Sequence, residues 1–138
     1  MLTQKYLNDL TYDIIGFAIE IHRELGPGLL ESIYEKCMVH LLQLNGFEVQ
    51  RQLKIPLQFH GLTLDCEFRL DLLVNELVIV ELKAVETIMP IHEAQLLTYL
   101  KLLKKPKGVL INFNSPNISH EGKKTFVTDL YQSLPSGY

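Results

Sequence analysis

In the first part of the chain, the apolar residues Leu7, Leu10, Ile14, Ala18, Ile21 and Leu25 recur at steps of three and four, which predicts an amphipathic helix from Tyr6 to Leu25. Gly26-Pro27-Gly28 ends it. A second helix is predicted from about Leu29 to Leu44, with Leu30, Ile33, Cys37, Leu41 and Leu44 on its buried stripe and Asn45-Gly46 as its stop. The period then falls to two. Phe47, Val49, Leu53, Ile55, Leu57 and Phe59 alternate with Glu48, Gln50, Gln52, Lys54 and Gln58, as a half-buried strand requires, and His60-Gly61 supplies a turn. Leu62, Leu64, Cys66, Phe68, Leu70 and Leu72 then alternate with Thr63, Asp65, Glu67, Arg69 and Asp71, so the two segments are expected to pair as one hairpin. Leu77 to Val85 (LVIVELKAV) is apolar at almost every position, the pattern of a central strand covered on both faces. A third helix from Met89-Pro90 to about Leu103, a strand from Gly108 to Phe113, a polar loop through Ser115-Pro116-Asn117 and a short strand near Thr125 to Val127 complete the order. It predicts an α/β (α+β) layer fold with a mixed central sheet flanked by helices.

Composition narrows the setting. A chain of 138 residues, 47% hydrophobic and 21% charged, is expected to form a single domain over residues 1–138 with one core. Its apolar runs fall far short of the roughly 20 residues that cross a bilayer, and MLTQKYLNDL lacks the order of a signal peptide, so a cytoplasmic protein with no membrane partner is expected. Cys37 and Cys66 are far apart and form no CxxC pair, which argues for reduced, partly buried thiols rather than a disulfide framework or a zinc knuckle. The formal net charge of −3 argues against nucleic-acid binding by bulk attraction. Any such contact needs a local basic patch or a metal ion.

Glu81 and Lys83 interrupt the most apolar strand, where an ionised group must be paired, metal-bound or neutralised. Two apart in a strand, they leave the same face. Asp71 on the preceding strand joins them if the connection is an odd loop or carries a bulge: three loop residues, Asn75 to Leu77, set position 71 opposite position 81, whereas a two-residue loop would pair it with 80 and turn it away. With that register two carboxylates converge beside a lysine, an oxygen site suited to Mg²⁺, with Lys83 placed to hold or deprotonate a water. A buried ion pair without chemistry accounts equally well for the spacing. The five histidines show no HExxH or paired spacing for zinc, no G-x-S-x-G elbow is present, and no GK[ST] follows Gly26-Pro27-Gly28.

Asp71 followed by Glu81-Leu82-Lys83 resembles the motif of the PD-(D/E)XK nuclease superfamily, and Gly28-Leu29-Leu30-Glu31-Ser32-Ile33-Tyr34 is similar to the signature of its GxxExxY proteins. Leu70 stands where the superfamily pattern has proline, with no ligand lost. The likeness continues through HEAQLLTYLK and GVLINF in the same order. It implies a restriction-endonuclease-like core, Mg²⁺ or Mn²⁺ as cofactor, Asp71, Glu81 and the Leu82 carbonyl as metal ligands, and Lys83 as the catalytic lysine. It also implies Glu31 as a third carboxylate, although an acid in the first turn of a helix is favoured by the helix dipole alone. Gln95 and Tyr99, at i and i+4 on the third helix, resemble the QxxxY feature that orients substrate or ligands. His92, on the same face, fits a surface histidine near a helix start.

Lys101, Lys104, Lys105 and Lys107 around the end of the third helix, with Lys123 and Lys124 near the last strand, are the densest basic clusters and the expected substrate surface. The combined expectation is a small Mg²⁺-dependent nuclease acting on nucleic acid, DNA ahead of RNA. The rival is a catalytically silent nuclease-fold binding or assembly module. Selectivity, if any, is expected from substrate shape, a second copy of the chain or a partner protein.

Overall fold

The computed structural model describes residues 1–64 and 68–138 and orders them as helix α1 (Gln4–Leu25), helix α2 (Glu31–Leu44), strands β1 (Val49–Lys54), β2 (Leu57–Phe59), β3 (Leu62–Leu64), β4 (Arg69–Val74) and β5 (Val78–Lys83), helix α3 (Pro90–Leu103), strands β6 (Lys107–Asn112) and β7 (Lys123–Val127), and a final turn of helix, α4 (Asp129–Gln132). The main sheet runs β1-β4-β5-β6-β7. Only β5 and β6 are parallel, and α3 is their crossover. The sheet is therefore mixed, as the order of elements predicts.

Helices α1 and α2 cover one face, where Leu7, Ile14, Tyr34 and Met38 pack with Leu72, Val80, Leu82, Ile111 and Phe113. α3 covers the other, with Leu96, Tyr99 and Leu100 against Leu73, Ile79 and Leu110. Gly108 lets α3 come this close: a Cβ there would stand 3.0 Å from a Leu96 methyl and 3.2 Å from a Leu100 methyl. α1 matches its predicted stripe up to Ile21, but Leu25 is exposed. Thr3 caps the start of α1, accepting the Tyr6 N–H at 3.1 Å. The chain end docks beside it, where the carbonyls of Pro135 and Ser136 take the N–H groups of Gln4 and Lys5.

Two expectations are corrected. On α2 the buried stripe is Tyr34, Met38 and Leu42 with Glu35, leaving Leu30 73% and Leu44 70% exposed. The helix is turned by about one residue, roughly 100°. Tyr34 fixes that rotation by stacking on Phe113, ring centroids 4.2 Å apart, and by donating its hydroxyl to Gly26 O at 2.7 Å. The long alternating hairpin is also two structures: β1 pairs with β4 in the main sheet, while β2 and β3 form a separate two-stranded ribbon. Two residues separate β1 from β2 and four separate β3 from β4, so the ladders cannot run on continuously. Pro56, without an N–H, sits at the break. The part of the predicted alternation at Asp65, Cys66 and Glu67 lies outside the described residues. Cys37 is a free, half-buried thiol. Among the described residues no helix is long and apolar enough to cross a membrane.

Candidate active site

The β4–β5 ladder pairs Val74 with Val78, Leu73 with Ile79 and Leu72 with Val80 around the three-residue loop Asn75 to Leu77. This register sets Asp71 opposite Glu81. The two strands part beyond Leu72 and Val80, and carboxylates replace the missing rungs. Glu81 Oε1 accepts the Asp71 N–H at 3.0 Å, and Asp71 Oδ2 accepts the Leu82 N–H at 2.8 Å. A side chain on each strand therefore satisfies backbone on the other, in a fork just beyond the end of the ladder.

The fork is electrostatically loaded. Glu81 is 5% exposed, and its carboxyl is pushed up to about 9, first by burial and then by the charge on Asp71. Asp71 is also raised, by burial foremost, while the Leu82 N–H and a hydrogen bond from Glu81 pull the other way. Burial and mutual repulsion therefore favour a proton held between the two carboxyls, with Glu81, the more buried, the more strongly raised. Lys83 is half-buried and stabilises both carboxylates through its charge. It lies within ion-pair distance of no acid among the described residues.

A cleft of about 300 Å³ opens beside the fork, lined by Glu31, Ser32, Glu35, Gln52, Asp71 and Leu82. Glu31, in the first turn of α2, reaches over to accept the Ala84 N–H at 3.2 Å. The α2 entry is fastened from two sides. Gly28, at φ +97°, gives its N–H to Asn114 Oδ1 at 2.9 Å, and the Tyr34 hydroxyl accepts the Leu29 N–H at 3.1 Å while donating to Gly26 O. Asn112, buried beneath the loop after β5, accepts the Val85 N–H and donates to Val85 O, fixing the exit of the strand that carries Glu81 and Lys83. The spacing of Gly28, Glu31 and Tyr34 thus has a geometric reason: glycine for the left-handed turn, glutamate toward the cleft, tyrosine as the staple.

Glu35, Gln52 and Arg51 were not singled out in the sequence. Glu35 is buried on the α2 face that also carries Glu31, and accepts from Arg51 Nη2 at 2.9 Å and Gln52 Nε2 at 2.5 Å. The i, i+4 relation to Glu31 was the available signal. Gln52 has φ +51°, stands outside the β1–β4 pairs, and also reaches Asp71 Oδ1 at 3.5 Å. The clue to this irregularity was Arg51, which occupies a position where the alternation calls for an apolar residue.

Other candidate residues lie apart from this cleft. Tyr99 is 5% exposed within the α3-side core, and Gln95 is half-buried on the same helix. His92 Nδ1 accepts the Met89 N–H at 3.0 Å, a cap for its own helix. Lys101, Lys104 and Lys105 sit at the end of α3, which leads into the start of β6 beside Val78, at the far end of the sheet from the fork; Lys105 lies 3.8 Å from Glu76 in the β4–β5 loop. Lys107 is buried, bonded to Asn8 and 5.4 Å from the centre of the Tyr131 ring, and burial lowers its pKa. Lys123 and Lys124 are on the edge strand, level with Leu82 and Glu81 but two strands away; Lys124 pairs with Glu93 at 2.6 Å.

The donors around the cleft are mainly carboxylate oxygens, from Glu31, Glu35 and Asp71, which suit a hard divalent cation in kind. Repulsion and burial already oppose charge on Asp71 and Glu81, a strain that a cation would relieve. In this conformation the carboxylates are turned to backbone N–H groups, and among the described residues no three His, Cys, Asp or Glu side chains close around one point.

A family model describing the PD-(D/E)XK nuclease superfamily matches residues 8–125, and the chain belongs to that superfamily. The mixed five-stranded sheet with helices on both faces, and Asp71, Glu81 and Lys83 at its fork, are consistent with that assignment. Members of this superfamily generally use divalent metals. No curated protein and no solved structure gives a significant match.

Proposed function

We propose that the chain is a divalent-metal-dependent nuclease of the GxxExxY type, acting as one unit over residues 1–138 and hydrolysing phosphodiester bonds of nucleic acid, DNA ahead of RNA. The observation that carries this reading is the fork, where the buried Glu81 and the half-buried Asp71 set two carboxyl groups against each other beside a lysine without an ion-pair partner among the described residues. Asp71, Glu81 and the Leu82 carbonyl would hold Mg²⁺ or Mn²⁺, with Glu31 as a further oxygen ligand from α2. The bound ion would supply Lewis-acid stabilisation of the charge that grows on phosphoryl oxygens. Lys83 orients the attacking water and takes part in its deprotonation. Arg51 and Gln52 hold the Glu35 carboxylate in hydrogen bonds and would keep it off the ion.

Nuclease assays with Mg²⁺ and Mn²⁺ on single- and double-stranded DNA and on RNA test the proposal, with Asp71→Ala and Lys83→Ala alongside. Cleavage by wild type and at least a hundredfold loss in both variants is the expected result. Equal activity in all three proteins would be contamination and would end the reading. The engagement of Asp71 and Glu81 with backbone N–H groups favours a second reading, a silent nuclease-fold module acting with a partner chain. Metal titration separates the two: a protein that binds neither ion at millimolar concentration is the module.

A further inference from the structure

The β2–β3 ribbon leaves the main sheet at the end where the site lies, since β1 ends at Lys54 and β4 begins at Arg69, two residues before Asp71. Leu57 is paired with Leu64 and Phe59 with Leu62, so all four share one face of the ribbon, while Gln58 and Thr63 share the other. Three of the four are exposed: Phe59 62%, Leu62 58% and Leu64 39%. A two-stranded ribbon is marginal in water by itself, and a contiguous exposed apolar face of this kind marks a binding surface. At its root lies a cleft of about 480 Å³ whose lining includes Lys54, Ile55, Pro56, Leu57 and Leu64.

Between this cleft and the fork stand cations that the sequence pattern did not distinguish. Lys54 and Arg69 are directly opposite each other and exposed, and Arg51, three residues before Lys54, is half exposed beside Glu35. At about 3.4 Å per residue, Arg69 lies roughly 7 Å along the strand from Asp71. Positive charge thus stands between the carboxylates and a largely apolar cleft. That sequence of groups complements a polyanion with flat apolar rings, and only a substrate running on from the fork would use both ends.

We infer that the ribbon cleft is a subsite for an unpaired nucleobase of single-stranded DNA adjoining the cleaved phosphodiester, with Lys54 and Arg69 on the intervening phosphates. The inference rests on the nuclease reading for its substrate class. Recognition of this kind is stacking and burial, indifferent to sequence and closed to paired bases. It also places the substrate path on the β1–β4 end of the sheet rather than on the lysines of α3.

Binding is measured by fluorescence anisotropy in EDTA, where no turnover occurs, with the full chain and a labelled thymine oligonucleotide of about twelve residues, against a duplex of the same length. The single strand is expected to bind more tightly than the duplex. Leu64→Ser and Phe59→Ser should each weaken it about three- to tenfold, and Lys54→Gln with Arg69→Gln should lower the salt slope by about one to two, with Lys5→Gln, an exposed cation at the start of α1, as the unchanged control. Should Leu64→Ser lose its cooperative thermal transition, the exposed Phe59→Ser and the cation pair decide. Duplex binding equal to single-strand binding, folded variants that bind like wild type, or a wild-type dimer that Phe59→Ser converts to monomer would overturn the subsite. Cleavage without dependence on the ribbon removes the subsite alone, whereas ribbon-dependent binding without cleavage in Mn²⁺ removes the nuclease reading alone.

Discussion

Asp71 and Glu81 exchange places with the backbone where β4 and β5 separate: the Glu81 carboxyl accepts the Asp71 N–H, and the Asp71 carboxylate accepts the N–H of Leu82. The arrangement leaves Glu81 buried beside a charge of the same sign, which pushes its carboxyl up to about 9 from an ordinary value of 4.5. Between those two values the folded chain holds a proton that the unfolded chain has released. Stability without metal is therefore greatest below about pH 4.5 as far as this group is concerned, and falls as pH rises toward 9. Glu81→Gln, neutral at every pH and still able to accept the Asp71 N–H, should flatten that fall and be more stable than wild type at pH 8 by about 1–3 kcal/mol. Urea denaturation in EDTA across this range checks it; parallel curves for the two proteins would show that Glu81 is not the source.

A divalent ion should reverse the same trend. Its binding at the fork requires the Glu81 proton to leave, so Mg²⁺ or Mn²⁺ should raise the melting temperature more at pH 8.5 than at pH 6 and release up to about one proton per ion. Calorimetric titration in two buffers of different ionisation enthalpy measures the proton directly. Asp71→Asn should remove most of the thermal shift. A shift of the same size at both pH values, retained in Asp71→Asn, would put the ion elsewhere.

Much of this site was legible because strand arithmetic is rigid. A side-chain period of two and a three-residue loop set Asp71 opposite Glu81, with the ladder from Leu72 to Val80 in the expected register. Helix rotation was less legible, since α2 has two overlapping apolar stripes, and the stack of Tyr34 on Phe113, a residue far along the chain, selects between them. The grouping of charge across the sheet was hidden for a similar reason. Density along the chain put Lys101, Lys104 and Lys105 first, whereas the β1–β4 pairing brings the scattered cations Arg51, Lys54 and Arg69 together near the fork. Sheet pairing, not proximity in sequence, decides which charges meet.

Tyr34 offers a clean test of how the α2 entry is held. Its hydroxyl joins Gly26 O and the Leu29 N–H, two backbone groups on either side of Gly28, while its ring fills the core. Tyr34→Phe keeps the ring and removes both bonds, so a loss of about 1–2 kcal/mol in stability is expected. Because Glu31 follows this turn directly, the variant should also weaken divalent-ion binding several-fold with no carboxylate altered. Unchanged ion affinity would show that Glu31 is positioned by α2 alone.

Gln52 stands in a left-handed conformation, φ +51°, in the middle of a strand, and its amide spans Glu35 and Asp71. Such a backbone costs a residue with a side chain about 1–2 kcal/mol. Glycine would escape that cost but lose the amide, and alanine would keep the cost and also lose the amide. Gln52→Ala should therefore be less stable than Gln52→Gly by about 1 kcal/mol, while both impair ion binding alike. Gln52→Glu is the sharper variant. It replaces the side-chain amide lining the cleft with a further carboxylate, so in EDTA at pH 8 it should be destabilised by about 1–3 kcal/mol, and millimolar Mg²⁺ should recover part of the loss. If Gln52→Glu is as stable as wild type in EDTA, the amide does not keep Glu35 and Asp71 apart, and its unusual backbone has some other cause.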